Sequence, residues 1–121
     1  MTIKVAVYFN LHKKVFSVKA LTGQLKGLDI YHSDYVELTN CTFKVSQAGR
    51  NRVLLEKRKN VHAFVVGDLV TLDYSEPSGE IATYNPYKYN TFVKSGCKTP
   101  IHSADKVHLY VKDKKGIIFF T

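Results

Sequence analysis

Ser46-Gln47-Ala48-Gly49-Arg50-Asn51-Arg52-Val53-Leu54-Leu55-Glu56-Lys57-Arg58-Lys59-Asn60 is the stretch on which the fold turns. It predicts one helix in a chain otherwise written in strands. Ser46 suits the N-cap, because its hydroxyl accepts from an orphan amide of the first turn. Gly49 weakens that turn, and Asn60 supplies a C-terminal stop. The stretch carries five bases (Arg50, Arg52, Lys57, Arg58, Lys59) against one acid, Glu56, a surplus of +4 out of a formal net charge of +8. A positive stripe on one rigid element points to an anionic partner, phosphate before others.

On a helical wheel Val53, Leu54 and Val61 fall on one side and Arg52, Glu56 and Lys59 on the other. Arg50 and Lys57 emerge between the apolar positions. Either their stems pack while the charges escape to water, or they floor a site for a phosphate-bearing ligand with Arg58 beside them. Arg50 is then the better bidentate donor.

Before the helix, Ile3, Val5, Val7, Phe9 and Leu11 alternate with polar or small residues, and Phe16, Val18 and Ala20 do the same. Period two predicts half-buried strands. Leu28 to His32 and Tyr35 to Val45 give two more, with a bulge where Asn40 breaks the rhythm. After the helix, Val61 to Val66 and Leu69 to Tyr74 read as strands paired back across a Gly67-Asp68 turn. A loop at Ser75 to Gly79, a short strand at Ile81 to Tyr84 and a turn at Ser95 to Pro100 follow. Strands from Val107 and from Ile117 to Phe120 close the chain around an Asp113-Lys114-Lys115-Gly116 hairpin turn. Short connections favour antiparallel pairing. The fold class is α+β: mainly antiparallel sheet with one central basic helix. The expected layout is a four-strand meander, the helix packed across it, and a second group of about four shorter strands.

A chain of 121 residues with 45% hydrophobic content suits a single domain, 1–121, around one core. No apolar run is long enough to span a membrane, and the first residues lack a signal pattern and enter a strand directly. Cys41 and Cys97 read as free thiols of a cytoplasmic protein, not a disulfide framework. The five histidines show no metal-ligand spacing. No G-x-S-x-G, P-loop or Rossmann glycine pattern occurs. Asp68 and Asp73, or Glu76 and Glu80, read as solvated surface charge. No nucleophile, base and orienter assemble, so the expectation is binding without turnover, with no cofactor and no metal.

Tyr84-Asn85-Pro86-Tyr87-Lys88-Tyr89-Asn90-Thr91-Phe92 interleaves aromatics with asparagines and a lysine. Aromatic faces stack on bases and asparagine reads base edges. The alternative is that Tyr84 and Phe92 only cover the edge of the core. Pro86 and the two asparagines place the segment in a loop, where binding residues concentrate.

Asn10-Leu11-His12-Lys13-Lys14, Phe43-Lys44-Val45-Ser46-Gln47-Ala48-Gly49-Arg50 and Arg58-Lys59-Asn60-Val61-His62-Ala63 resemble small phage and prophage anti-defence proteins, in particular the Thoeris anti-defence sponges of the first type. That resemblance implies an oligomeric protein of the host cytoplasm that binds a cyclic ADP-ribose-like or cyclic nucleotide immune signal without cleaving it. It implies a ligand held by arginines, an asparagine and an aromatic ring. Lys57 or Arg58 and Asn90 match those roles. The final hairpin offers Lys112 and His108 but no arginine. The candidate ligand-binding residues are therefore Arg50, Lys57, Arg58, Tyr84, Asn90, Phe92 and Lys112.

Two further classes stay open. A nucleic-acid-binding module needs a broad basic surface, which Arg52, Lys59, Lys13, Lys14, Lys114 and Lys115 would supply. A protein inhibitor of a host defence enzyme would dock by charge on an acidic surface. Aromatics near the chain end, Tyr110, Phe119 and Phe120 among them, point to a homo-oligomer.

Overall fold

The structure, a computed structural model, describes residues 3–22, 27, 29–57, 61–71 and 79–121. Along the chain run β1 (Lys4–Asn10), β2 (Val15–Ala20), β3 (Asp29–Ser33), β4 (Tyr35–Val45), α1 (Gln47–Glu56), β5 (Ala63–Thr71), β6 (Glu80–Thr83), β7 (Val93–Lys94), β8 (Ser103–Lys112) and β9 (Lys115–Phe120). Among the described residues the strands form one nine-stranded sheet in the order β3-β2-β1-β5-β4-β8-β9-β6-β7. Its strand pairs are antiparallel. The α+β, mainly antiparallel expectation holds.

The layout differs from the sequence reading. Among the described residues there is no separate second group of strands. β5 inserts between β1 and β4, so strands from before and after the helix share one sheet. The sheet curls until β2 approaches β8 and β9 across the interior. Alternation then sends Val5, Val7, Phe16, Val18, Val36, Leu38, Val65, Val107 and Leu109 inward, each at most 1% exposed.

Gly67-Asp68 is not a turn: β5 runs through it. Asn40 has φ 52°, and the β4–β5 register shifts between Thr39 and Thr42, so the bulge read at Asn40 is present. A Cβ on Gly67 would sit 2.9 Å from the Thr39 carbonyl oxygen. The glycine serves the close backbone approach beside the bulge, not a reversal of the chain.

The helix is shorter and less basic than expected. Ser46 is its N-cap, with its hydroxyl accepting from the Gly49 amide at 3.1 Å. It ends at Glu56, because Lys57 turns left-handed (φ 55°) and its amide closes on the Val53 carbonyl. It thus carries Arg50 and Arg52 against Glu56; Arg58, Lys59 and the stop read at Asn60 lie outside the described residues. Only Val53 of α1 is buried, and Leu55 is 83% exposed, so α1 does not lie across the sheet. It is docked at one end instead. The Ser46 amide donates to the His62 carbonyl at 2.7 Å. A Cβ on Gly49 would fall 2.5 Å from His62 Cβ. The residue that weakens the helix is the one that lets it approach β5.

Candidate functional site

Val7 pairs with Val65, so the end of β1 runs beside the start of β5. The two strand ends, α1 and the loop after β6 enclose a cleft of about 520 Å³. Phe9 and Leu11 line it from the end of β1, Val53 from α1, His62 from the approach to β5, and Tyr84, Pro86 and Tyr87 from the loop after β6. Tyr87 stands 60% exposed at the rim. The cleft is mostly apolar, with a few polar groups to fix orientation, as small-molecule sites tend to be.

Its polar centre is a pair. His62 is buried, and its Nε2 lies 2.7 Å from the Tyr84 hydroxyl, the rings meeting edge to face at 5.3 Å. Burial pushes the Tyr84 phenol above its ordinary range, against a smaller opposing pull from Arg50. The phenol therefore stays protonated and can donate to the imidazole.

The loop 85–90 is built by its own asparagine and fastened by the helix. Asn85 Oδ1 accepts from the Tyr87 amide at 2.9 Å, and the Asn85 carbonyl accepts from the amides of Lys88 and Tyr89. Arg50 Nε donates to the carbonyls of Pro86 at 3.1 Å and Tyr89 at 2.9 Å. Gln47 Nε2 donates to the Asn90 carbonyl at 2.9 Å. The next segment of the same loop borders a second, cationic depression of about 380 Å³ lined by Arg50, Lys88, Asn90 and Lys98. One loop thus has an aromatic hollow at its first half and positive charge at its second.

The predicted residues divide accordingly. Tyr84 lines the cleft; Arg50 and Asn90 line the depression. Lys57 is an exposed helix cap and borders neither. The helix stops before it, so the seven-residue spacing from Arg50 no longer places both on one helical face. Arg58 lies outside the described residues. Phe92 is 5% exposed and packs on Phe43 and Tyr84 at ring distances of 5.1 and 5.4 Å, inside the core. Lys112 ends β8 at the last hairpin and borders neither hollow. Sequence reasoning missed His62, Phe9 and Lys98. Only the inserted position of β5 carries His62 to Tyr84, and no spacing signals that.

Two other polar clusters lie outside the cleft. His108 Nε2 is 2.9 Å from Glu37 Oε1 in a buried pair, and His108 Nδ1 is buried without a hydrogen-bond partner. Ser17 Oγ lies 2.7 Å from His32 Nδ1 and accepts from Asn10 Nδ2 at 3.2 Å. Ser17 is fully buried, so that contact fixes the strand pair and presents no accessible nucleophile. Burial pushes the Cys41 thiol up to about 12, which leaves it un-ionised. Among the described residues no three His, Cys, Asp or Glu are grouped to hold a metal, and no helix is long and apolar enough to cross a membrane.

The fold and cleft define a curled antiparallel sheet with an aromatic hollow at one end, closed by a loop that an arginine clamps. Over residues 1–117 the chain matches the model of the Mycobacterium phage L5 gene 82 protein family, and it belongs to that family of phage proteins. It is 42% identical over 113 residues to the gene 82 protein of Mycobacterium phage L5, across 88% of this chain and 90% of that protein. No solved structure matches it.

Proposed function

We propose that this phage protein binds a nucleotide-like anion at the clamped loop and holds it without turnover. The observation that carries the reading is the loop itself. Phe9, Tyr84 and Tyr87 offer ring faces and edges to a base on one side, and Arg50, Lys88 and Lys98 offer positive charge to phosphates on the other. Stacking on an aromatic tolerates any base and is worth roughly 1–3 kcal/mol each, and charge-assisted contacts to phosphate are about twice as strong as neutral ones. In a phage, a binder of this kind acts by sequestration. The ligand class is a cyclic ADP-ribose-like or cyclic nucleotide signal of host defence, and the role is anti-defence.

The test is calorimetric titration with cyclic ADP-ribose isomers and cyclic dinucleotides, followed by chromatography of the recovered ligand. The expected result is saturable binding with the ligand returned intact, weakened roughly tenfold by Tyr87→Ala, as loss of about 1.4 kcal/mol of stacking requires. New products formed in proportion to protein would overturn the non-enzymatic reading. Absence of binding to every nucleotide would overturn the ligand class.

A further inference from the structure

Two hairpin turns distant in sequence meet at one place. The first joins β1 to β2 through Leu11–Lys14. Asn10 Oδ1 accepts from the amides of His12 and Lys13, and the Asn10 carbonyl accepts from the Lys14 amide at 2.8 Å. Lys14 is left-handed, φ 61°. The second joins β8 to β9 through Asp113 and Lys114, with φ of 53° and 64°, the backbone of a tight two-residue turn. Gly116 lies where a Cβ would be 2.7 Å from Phe9 Cδ1 and 2.8 Å from Phe16 Cζ. The start of β9 therefore rests directly on the two rings that flank the first turn. The Val111 amide also donates to the Asp34 carbonyl at 2.9 Å.

This meeting of turns gathers Lys13, Lys14, Lys112, Lys114 and Lys115, all exposed, against two exposed acids, Asp34 and Asp113. Among the described residues none of the five ammonium groups is ion-paired. Lys112 and Lys115 face each other on the last rung of β8 and β9. Like charges directly opposite destabilise a strand pair, and an anion between them removes that penalty. Both turns are held by backbone hydrogen bonds, so the charges are presented on rigid supports.

We infer that the paired hairpins are a binding surface for the phosphate backbone of a single-stranded nucleic acid. A lysine is a point charge suited to phosphates without sequence preference. What favours a single strand over an acidic protein or a lipid surface is Phe9. It forms both the seat of Gly116 and a wall of the aromatic cleft, so the lysines border a place where unstacked bases can lie. Cations beside stacking faces are how single strands are held without regard to sequence. The strand class rests on the nucleotide reading of the cleft; the charged surface does not.

The experiment measures fluorescence anisotropy of a labelled 15-nucleotide oligo-dT against the full chain at several salt concentrations. It compares the wild type, the quadruple variant Lys13→Gln, Lys14→Gln, Lys114→Gln, Lys115→Gln, and the cleft variant Tyr87→Ala. The four substituted lysines are exposed, and circular dichroism checks that the fold persists. The quadruple variant should bind at least tenfold more weakly at low salt. Its slope of log affinity against log salt should be shallower by about 3, since each phosphate left without its lysine removes about 0.7. Its binding of a cyclic dinucleotide should be unchanged. If cyclic nucleotides fail to bind while the oligonucleotide still shows this lysine-dependent slope, the function proposed for the cleft fails and the hairpin surface stands. Oligonucleotide binding unaffected by the four substitutions would overturn the inference. So would equal, lysine-dependent binding to anionic vesicles or polyglutamate, which would make the surface a membrane or protein contact.

Discussion

Gly116→Ala should destabilise the protein by overpacking. The added Cβ would lie 2.7 Å from Phe9 Cδ1 and 2.8 Å from Phe16 Cζ. Carbon atoms prefer about 3.5–4.0 Å, so one ring or the strand must yield by about 1 Å. Phe16 is 1% exposed and locked in the core, whereas Phe9 is half-buried and faces the cleft. Phe9 is therefore the ring that moves, at the expense of its edge-to-face contact with Phe16 at 5.4 Å. Overpacking of this kind costs about 1–3 kcal/mol. With one yielding partner we expect about 2 kcal/mol, near 4 °C in Tm for each kcal/mol in a chain of this size. Urea unfolding should show a midpoint lower by roughly 1 M with an unchanged slope. In a Phe9→Leu background the same substitution should cost less than half as much, because contacting residues couple in a double-mutant cycle. An unchanged midpoint, or an undiminished cost in the Phe9→Leu background, would refute the contact that joins the hairpins.

Arg50→Gln removes a charged donor from two loop carbonyls. It should lower stability by about 1.5–3 kcal/mol and speed hydrogen exchange across residues 86–90, while Arg52→Gln on the exposed face should change either by little. Native protein at pH 8 should react with Ellman's reagent at Cys97 alone and, once unfolded, at Cys41 as well, because Cys97 is exposed and Cys41 buried. The Cys41 pKa is raised from 9.0 to about 12. The stability tied to its neutral thiol is thus whole below pH 9 and lost as pH rises toward 12; unfolding titrations should show Cys41→Ala flatter than wild type over that window. Tyr110 and Phe119 stack at 5.6 Å on neighbouring strands, and Ile81 pairs with Phe119 at 39% exposure. A homo-oligomer would cover that strip, and sedimentation at tens of micromolar should show a species heavier than 13.8 kDa.

The sequence by itself determined the local structure. Alternation from Ile3 to Leu11 and from Tyr35 to Val45, the hydroxyl of Ser46 and the break at Asn40 each act within a few residues. The β1, β4, helix N-terminus and bulge therefore stand where the pattern puts them. Strand neighbours are a different matter. Nothing local states that β5 enters between β1 and β4, yet that insertion turns Gly67 from an apparent turn into a close-packing residue and sets His62 beside Tyr84. The helix end also escaped the pattern. Nothing in the run up to Asn60 forbade a longer helix, but burial of Val53 alone gives little reason to continue beyond Glu56, and the left-handed Lys57 closes it. Of the candidate site, Tyr84 and Arg50 could be singled out because aromatics, asparagines and an arginine stand out in one dimension, and each lines a hollow. Which way Arg50 donates was not legible, since its partners lie 36 and 39 residues away. Only tertiary packing decided that, as it decided that two lysine turns a hundred residues apart share one edge, because a glycine between two phenylalanine rings leaves no room for a side chain.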